Sequence, residues 1–131
     1  GPRELRDEQL LPFEAAVRAA GIASVMPAYC DLDGVPCHAS HELLTSILRD
    51  EWGFEGVVAS DYTAVQMLVG EHRLTSDLGT AAAMSLGAGM DSELPTTQAF
   101  GAPLRAAIWP RTCSSSIRSR GSETHSSAAP R

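Results

Sequence analysis

Three short apolar runs, centred on Val25, Val57 and Met90, recur at intervals of 32 residues (57 minus 25) and 33 residues (90 minus 57). Between successive runs the apolar side chains change from a continuous cluster to the i, i+3, i+4 spacing of an amphipathic helix. A strand and helix repeated at this interval imply parallel strands joined by right-handed crossovers. Two architectures satisfy that rule, an open doubly wound sheet and a (β/α)8 barrel. The dinucleotide-binding version of the open sheet places G-x-G-x-x-G between a strand and the following helix. Here Gly87 and Gly89 follow a helical pattern and precede a strand, so the barrel is the expected architecture. A whole barrel takes about 250 residues. The 131 residues here supply about three units, too few to close one. The fold expected is therefore α/β, a fragment of a (β/α)8 barrel comprising about its last three β/α units.

Local signals place the elements. Phe13, Ala16, Val17 and Ala20 repeat at helical spacing behind Pro12, and Gly21 is a natural stop. Ile22 to Tyr29 is too short for a second helix and reads as a buried strand. CDLDGVPCHAS is turn-rich; Ser40 is placed to cap a helix whose apolar face is Leu43, Leu44, Ile47, Leu48 and Trp52. Glu42 suits the positive end of that helix. Gly56 to Ser60 is a short buried strand ending at Asp61. A third helical stretch follows in two pieces, the second from Asp77 to Leu86, and Gly87 to Gly89 separate it from a short strand at Met90 to Leu94. Residues 1–108 carry this alternation. Residues 109–131 contain seven serines and four arginines against one glutamate, without apolar periodicity. They are expected to be a disordered tail or the product of a shifted reading frame.

Composition narrows the function classes. A net charge of -6 and a pI near 5.1 oppose nucleic-acid binding, and all ten basic side chains are arginine. No apolar run reaches the 18 residues of a membrane span, and the N-terminus shows no secretory leader. Cys30, Cys37 and Cys113 are too few and too uneven for a disulfide framework, which favours a reducing, cytoplasmic setting. Cys30, Cys37, His38 and His41 lack the paired C-x-x-C or H-x-x-x-H spacing of a zinc site. No metal or cofactor is expected.

In a β/α barrel, substrate meets the carboxyl ends of the strands. Tyr29 ends the first run, Asp61 the second, and Asp91 with Glu93 lies on or just after the third. From the pattern alone, Asp61 is open to two readings: a catalytic carboxylate, or a helix cap or structural acceptor. His38 and His72 read as loop or surface residues, one of which could line a pocket.

Four segments, in order and in register, resemble glycoside hydrolase family 3. RELRDEQLLPFEAAVRAAG is similar to the helix before the family's sixth barrel strand. VMPAYCDLDGVPCHAS is similar to the strand and loop with its tyrosine and D-G-x-P turn. LLTSILRDEWGFEGVVASDY resembles the L-L-x-x-x-L-R-x-E-W-G-F-x-G-x-V-x-S-D-W run, and AGMDSELP the next strand. The resemblance implies a retaining hydrolase of terminal β-D-glucosides or β-D-xylosides, working without metal or cofactor on an oligosaccharide or an aryl or alkyl β-glycoside. Asp61 takes the place of the nucleophile and Tyr29 that of the neighbouring active-site tyrosine. Tyr62 stands where the family has Trp, as a substrate-binding aromatic of altered size. The family's Lys-His pair and sugar-binding Arg and Asp precede this region, and its acid/base Glu follows the barrel. The chain alone is thus expected to be inactive, lacking the rest of the barrel and a second domain. The second reading is a non-catalytic carbohydrate-binding or scaffolding relative.

Overall fold

The structure is a computed structural model that describes residues 1–109; the expectations for residues 110–131 lie outside the described residues. A helix runs almost from the start. It begins at Pro2–Glu4, continues through a π-helical stretch, Leu5–Leu10, and ends in α1 (Leu11–Arg18). Pro12 stands where the π-helical stretch gives way to α1. Gly21 leaves the helix at φ +62°, a left-handed conformation suited to glycine. The inward face differs from expectation. Leu10 is buried, whereas Phe13 is 54% exposed, and Val17 only leans on the core.

Strand β1 (Ser24–Val25) is shorter than the apolar run suggested, and Met26 beyond it is exposed. A two-stranded antiparallel hairpin follows, β2 (Asp31–Leu32) with β3 (Val35–Pro36). Its turn is Asp33-Gly34, both at positive φ (53° and 82°), as a tight two-residue hairpin turn requires. A single 3-10 turn, Cys37–Ala39, leads to α2 (Glu42–Glu51), which is π-helical. Ser40 Oγ accepts the Leu43 N–H at 3.2 Å, so the expected cap is present.

Strand β4 (Val57–Tyr62) extends one residue past Asp61. The third helical stretch is two helices, α3 (Ala64–Gly70) and α4 (Leu78–Ala88). Asp77 caps α4 by accepting from the Thr80 N–H at 2.6 Å, and Gly89 ends it at φ +115°. Strand β5 (Ser92–Leu94) and α5 (Ala102–Ile108) complete the described chain.

The strands form one sheet in the order β1-β4-β5, with both pairings parallel. This is the expected α/β repeat. One core lies between the sheet and α2, with Leu44, Ile47, Leu48, Trp52 and Phe54 packed against Val58 and Met90. A second lies between α3, α4 and α5 around Val65, Leu68, Ala81 and Leu104. Val58, Val65, Leu68 and Met90 are almost wholly buried, and each contributes about 1.5–3 kcal/mol by leaving water.

The stretch LRDEWGFEG shows what fixes the α2 to β4 turn. Gly53, at φ +74°, reverses the chain so that Trp52 and Phe54 both reach the core. The Arg49 guanidinium then ties the turn to the sheet, donating to the carbonyls of Phe54, Gly56 and Gly89 and pairing with Asp91 at 2.7 Å. At Gly56 an added Cβ would sit 2.3 Å from the Ala23 carbonyl oxygen, so the close approach of β1 and β4 demands glycine there.

Candidate active site

The parallel sheet brings the ends of β1 and β4 together, and with them Tyr29, Asp61 and Tyr62. The Tyr29 hydroxyl donates to the Tyr62 carbonyl at 2.9 Å. Its other polar neighbour is the Asp61 carboxylate. Hydrogen bonding with that carboxylate, then desolvation and the carboxylate charge, raise the Tyr29 pKa above its ordinary value. The phenol therefore stays protonated, with its proton facing two acceptors. The Tyr62 ring projects into solvent, 59% exposed, as a free aromatic face beside the carboxylate.

Asp61 lies in an irregular part of β4. Ala59 pairs with Ser92 and Tyr62 with Leu94, so three steps on β4 match two on β5, and the register shifts at Ser60 and Asp61. Such a bulge turns side chains away from the regular alternation. Its backbone partners are replaced locally. Buried Ser60 accepts the Leu94 N–H through its Oγ at 2.9 Å, and the Leu94 carbonyl accepts from Thr63 N–H at 3.1 Å. Asp61 Oδ1 accepts the Tyr62 N–H at 2.7 Å.

His38, expected in a loop or at the surface, lies in the 3-10 turn but is buried. It is 2% exposed, and its Nε2 accepts the backbone N–H of Asp61 at 3.1 Å. Its ring also stacks on Tyr29, with centroids 6.3 Å apart. Burial lowers the His38 pKa, against smaller raising effects from its bond to Ala28 and from the Asp61 charge. A neutral imidazole is what the geometry needs, because Nε2 accepts only when unprotonated. His72, partly exposed, lies 3.0 Å from the Tyr29 carbonyl oxygen through Nε2. The signal for His38 in the sequence was its place just after the D-G turn, which brings the chain back beside Tyr29.

The other strand-end carboxylates are committed to the fold. Glu93 is 5% exposed; it accepts from the N–H groups of Ala99 and Phe100 at 2.8 Å and from Gln66 at 2.9 Å. Asp91 accepts the Val58 N–H and pairs with Arg49, clamping β5 to β4. Asp61, Tyr29 and Tyr62 thus remain as the group open to a ligand. Among the described residues no three His, Cys, Asp or Glu side chains are grouped to hold a metal ion. An apolar hollow of about 300 Å³ lies elsewhere, between the first helix and α2, with Phe13, Met26, Cys30 and Trp52 in its walls. Its lining does not suit a sugar, whose hydroxyls need polar partners.

Known proteins resemble this chain over about three quarters of its length. A β-xylosidase of Formosa agariphila is 48% identical over 92 residues, covering 70% of this chain and 13% of that protein. A β-glucosidase of Rhizobium radiobacter is 41% identical over 93 residues, covering 71% of this chain and 10% of its own length. The crystal structure of a β-glucosidase from Listeria innocua in complex with glucose superposes with a TM-score of 0.71 at 35% identity, over 76% of this chain and 14% of that one. The chain thus spans about an eighth of the length of these relatives. Residues 1–108 match the model of the glycosyl hydrolase family 3 N terminal domain, and the chain belongs to that family.

Proposed function

We propose that residues 1–108 form the nucleophile-bearing part of a (β/α)8 barrel, about its last three units, in a retaining β-glycosidase acting on β-glucosides or β-xylosides. The observation that carries this reading is the difference among the strand-end carboxylates: Asp91 and Glu93 hold backbone N–H groups of other segments, whereas Asp61 accepts from the N–H of the next residue, Tyr62, and lies at a bulge beside Tyr29 and Tyr62. In the first step an Asp61 carboxylate oxygen attacks the anomeric carbon, the bond to the leaving oxygen breaks, and a proton passes to that oxygen. A water then attacks the glycosyl-Asp61 ester and returns the carboxylate. The neutral Tyr29 hydroxyl, donating to the Tyr62 carbonyl, stands beside the carboxylate and can turn its proton to it when a sugar is bound. Tyr62 offers a face on which a sugar ring stacks. A retaining enzyme needs its proton donor about 5–5.5 Å from the nucleophile. The family resemblance assigns that role to a Glu beyond the barrel, outside the described residues.

The relatives named for β-xylosides and β-glucosides, and the one solved with glucose, support this substrate class. A chimera in which residues 1–108 replace the matching stretch of the Formosa β-xylosidase supplies the remaining barrel and the proton donor. Asp61→Ala in it should cost several powers of ten in turnover, each tenfold being about 1.4 kcal/mol of transition-state stabilisation. Azide should restore turnover, giving a glycosyl azide of inverted configuration. Near-normal turnover in the variant would return Asp61 to a structural role.

A further inference from the structure

The hairpin that carries Tyr29 and His38 also brings two thiols face to face. Its register pairs Leu32 with Val35 and Asp31 with Pro36; one step further, Cys30 stands opposite Cys37. The Cys37 N–H donates to the Cys30 carbonyl at 3.1 Å, so the ladder continues to that pair. Hydrogen-bonded antiparallel partners have Cα atoms about 5.5 Å apart. That is the usual Cα separation of a disulfide, about 5.5–6 Å. The Asp33-Gly34 turn, with both residues at positive φ, holds the register. Both cysteines are free thiols, Cys30 exposed and Cys37 buried.

We propose that Cys30 and Cys37 are a thiol-oxidation site, which a small-molecule disulfide converts into an intrachain bond across the base of the hairpin. The Cys30 thiolate, accessible to the reagent, attacks one of its sulfur atoms; the reagent's S–S bond breaks and one small thiol leaves with a proton. Cys37 then gives up its proton and attacks Cys30 Sγ, expelling the second small thiol. Two cysteine thiols are oxidised by two electrons, and one small disulfide is reduced to two thiols. The division of roles follows from burial. The Cys37 thiol is pushed up to about 12, first by burial and then by the charge and hydrogen bonding of Cys30 beside it. Cys30 therefore attacks first. Once Cys30 is capped its charge is gone, and one of the effects holding the Cys37 proton is removed. The bond would join the residues next to Tyr29 and His38, fixing the spacing of the two stacked rings. This site stands independently of the role given to Asp61.

The test uses the 131-residue chain with Cys113→Ser, at low protein concentration, equilibrated across ratios of oxidised to reduced glutathione in buffer and in urea. Free thiols are then alkylated and the digest is mapped by mass spectrometry. The expected product is a Cys30–Cys37 bridge within one chain that survives a glutathione mixture at least tenfold more reducing in buffer than in urea. Adding Cys37→Ser should stop the reaction at a glutathione adduct on Cys30, and Cys30→Ser should leave Cys37 unmodified. The proposal is overturned if the chain with both cysteines also stops at the Cys30 adduct, if the bridge joins two chains, or if buffer and urea give the same midpoint.

Discussion

Glu93 lies buried within β5 and Asp61 next to buried Ser60 near the end of β4, and their surroundings assign them different work. Glu93 satisfies two backbone N–H groups at the start of the segment leading to α5. Glu93→Ala leaves those donors buried and unpaired, a cost of about 1–3 kcal/mol in stability, read as a lowered urea midpoint of the chimera. The same variant should not abolish glycosyl-enzyme formation. His38 gives a second residue-scale expectation, with a pH signature. Its folded pKa lies below the ordinary 6.5, so the unfolded chain binds the proton more readily. Stability from this group is complete above that ordinary value and is lost as pH falls through the lower folded one. The urea midpoint should therefore drop on acidification below pH about 6.5, and His38→Gln should flatten that drop. At this scale the apolar run before Asp61 showed where Asp61 and Tyr62 stand in β4, whereas Tyr29 lies beyond β1, which ends at Val25. The sequence did not show that His38 is buried behind Asp61. That contact depends on how the hairpin packs against β4, whereas the D-G dipeptide signals only the fold-back itself.

Among the elements, β4 and the turn before it do most to position the candidate nucleophile. Gly56 lets β1 approach, Arg49 ties the turn to β5, and the bulge at Ser60 and Asp61 redirects the strand end. Gly56→Ala must displace the Ala23 backbone and should cost about 1–3 kcal/mol, with a weakened β1–β4 pairing seen as faster amide exchange at Val57, whose N–H donates to the Ala23 carbonyl. An unchanged urea midpoint would contradict the tight approach. Helix limits were legible where a side chain or glycine dictates them: Ser40 and Asp77 as caps, Gly21 and Gly89 as stops. The D-G dipeptide between Leu32 and Val35 also carried a hairpin signal, which a reading of the loop as merely turn-rich did not use. The face of α1 was misread. Phe13 matches the helical period, but the packed side is set by the π-helical stretch before it, which shifts the phase so that Leu10 is buried.

At the scale of the whole molecule, the sheet has three strands and its outer members, β1 and β5, each pair on one side only among the described residues. Unpaired edges and exposed apolar groups favour association. Met26 and Phe13 are about half exposed and line the apolar groove. The chain by itself should therefore sediment as concentration-dependent oligomers, and a single monomeric species with a cooperative melt would contradict this. The repeat of strand and helix was legible because parallel crossovers impose a regular interval. Closure into a barrel was not, since three parallel strands cannot close one. The central claim, that Asp61 forms the covalent bond to the sugar, is tested most directly by trapping. The chimera is treated with a 2-fluoro β-glycoside carrying a good leaving group, digested, and the labelled peptide located by mass spectrometry. Label on Asp61 within GVVASDY is the result expected, and label on Glu93, Asp91 or any other carboxylate would contradict it.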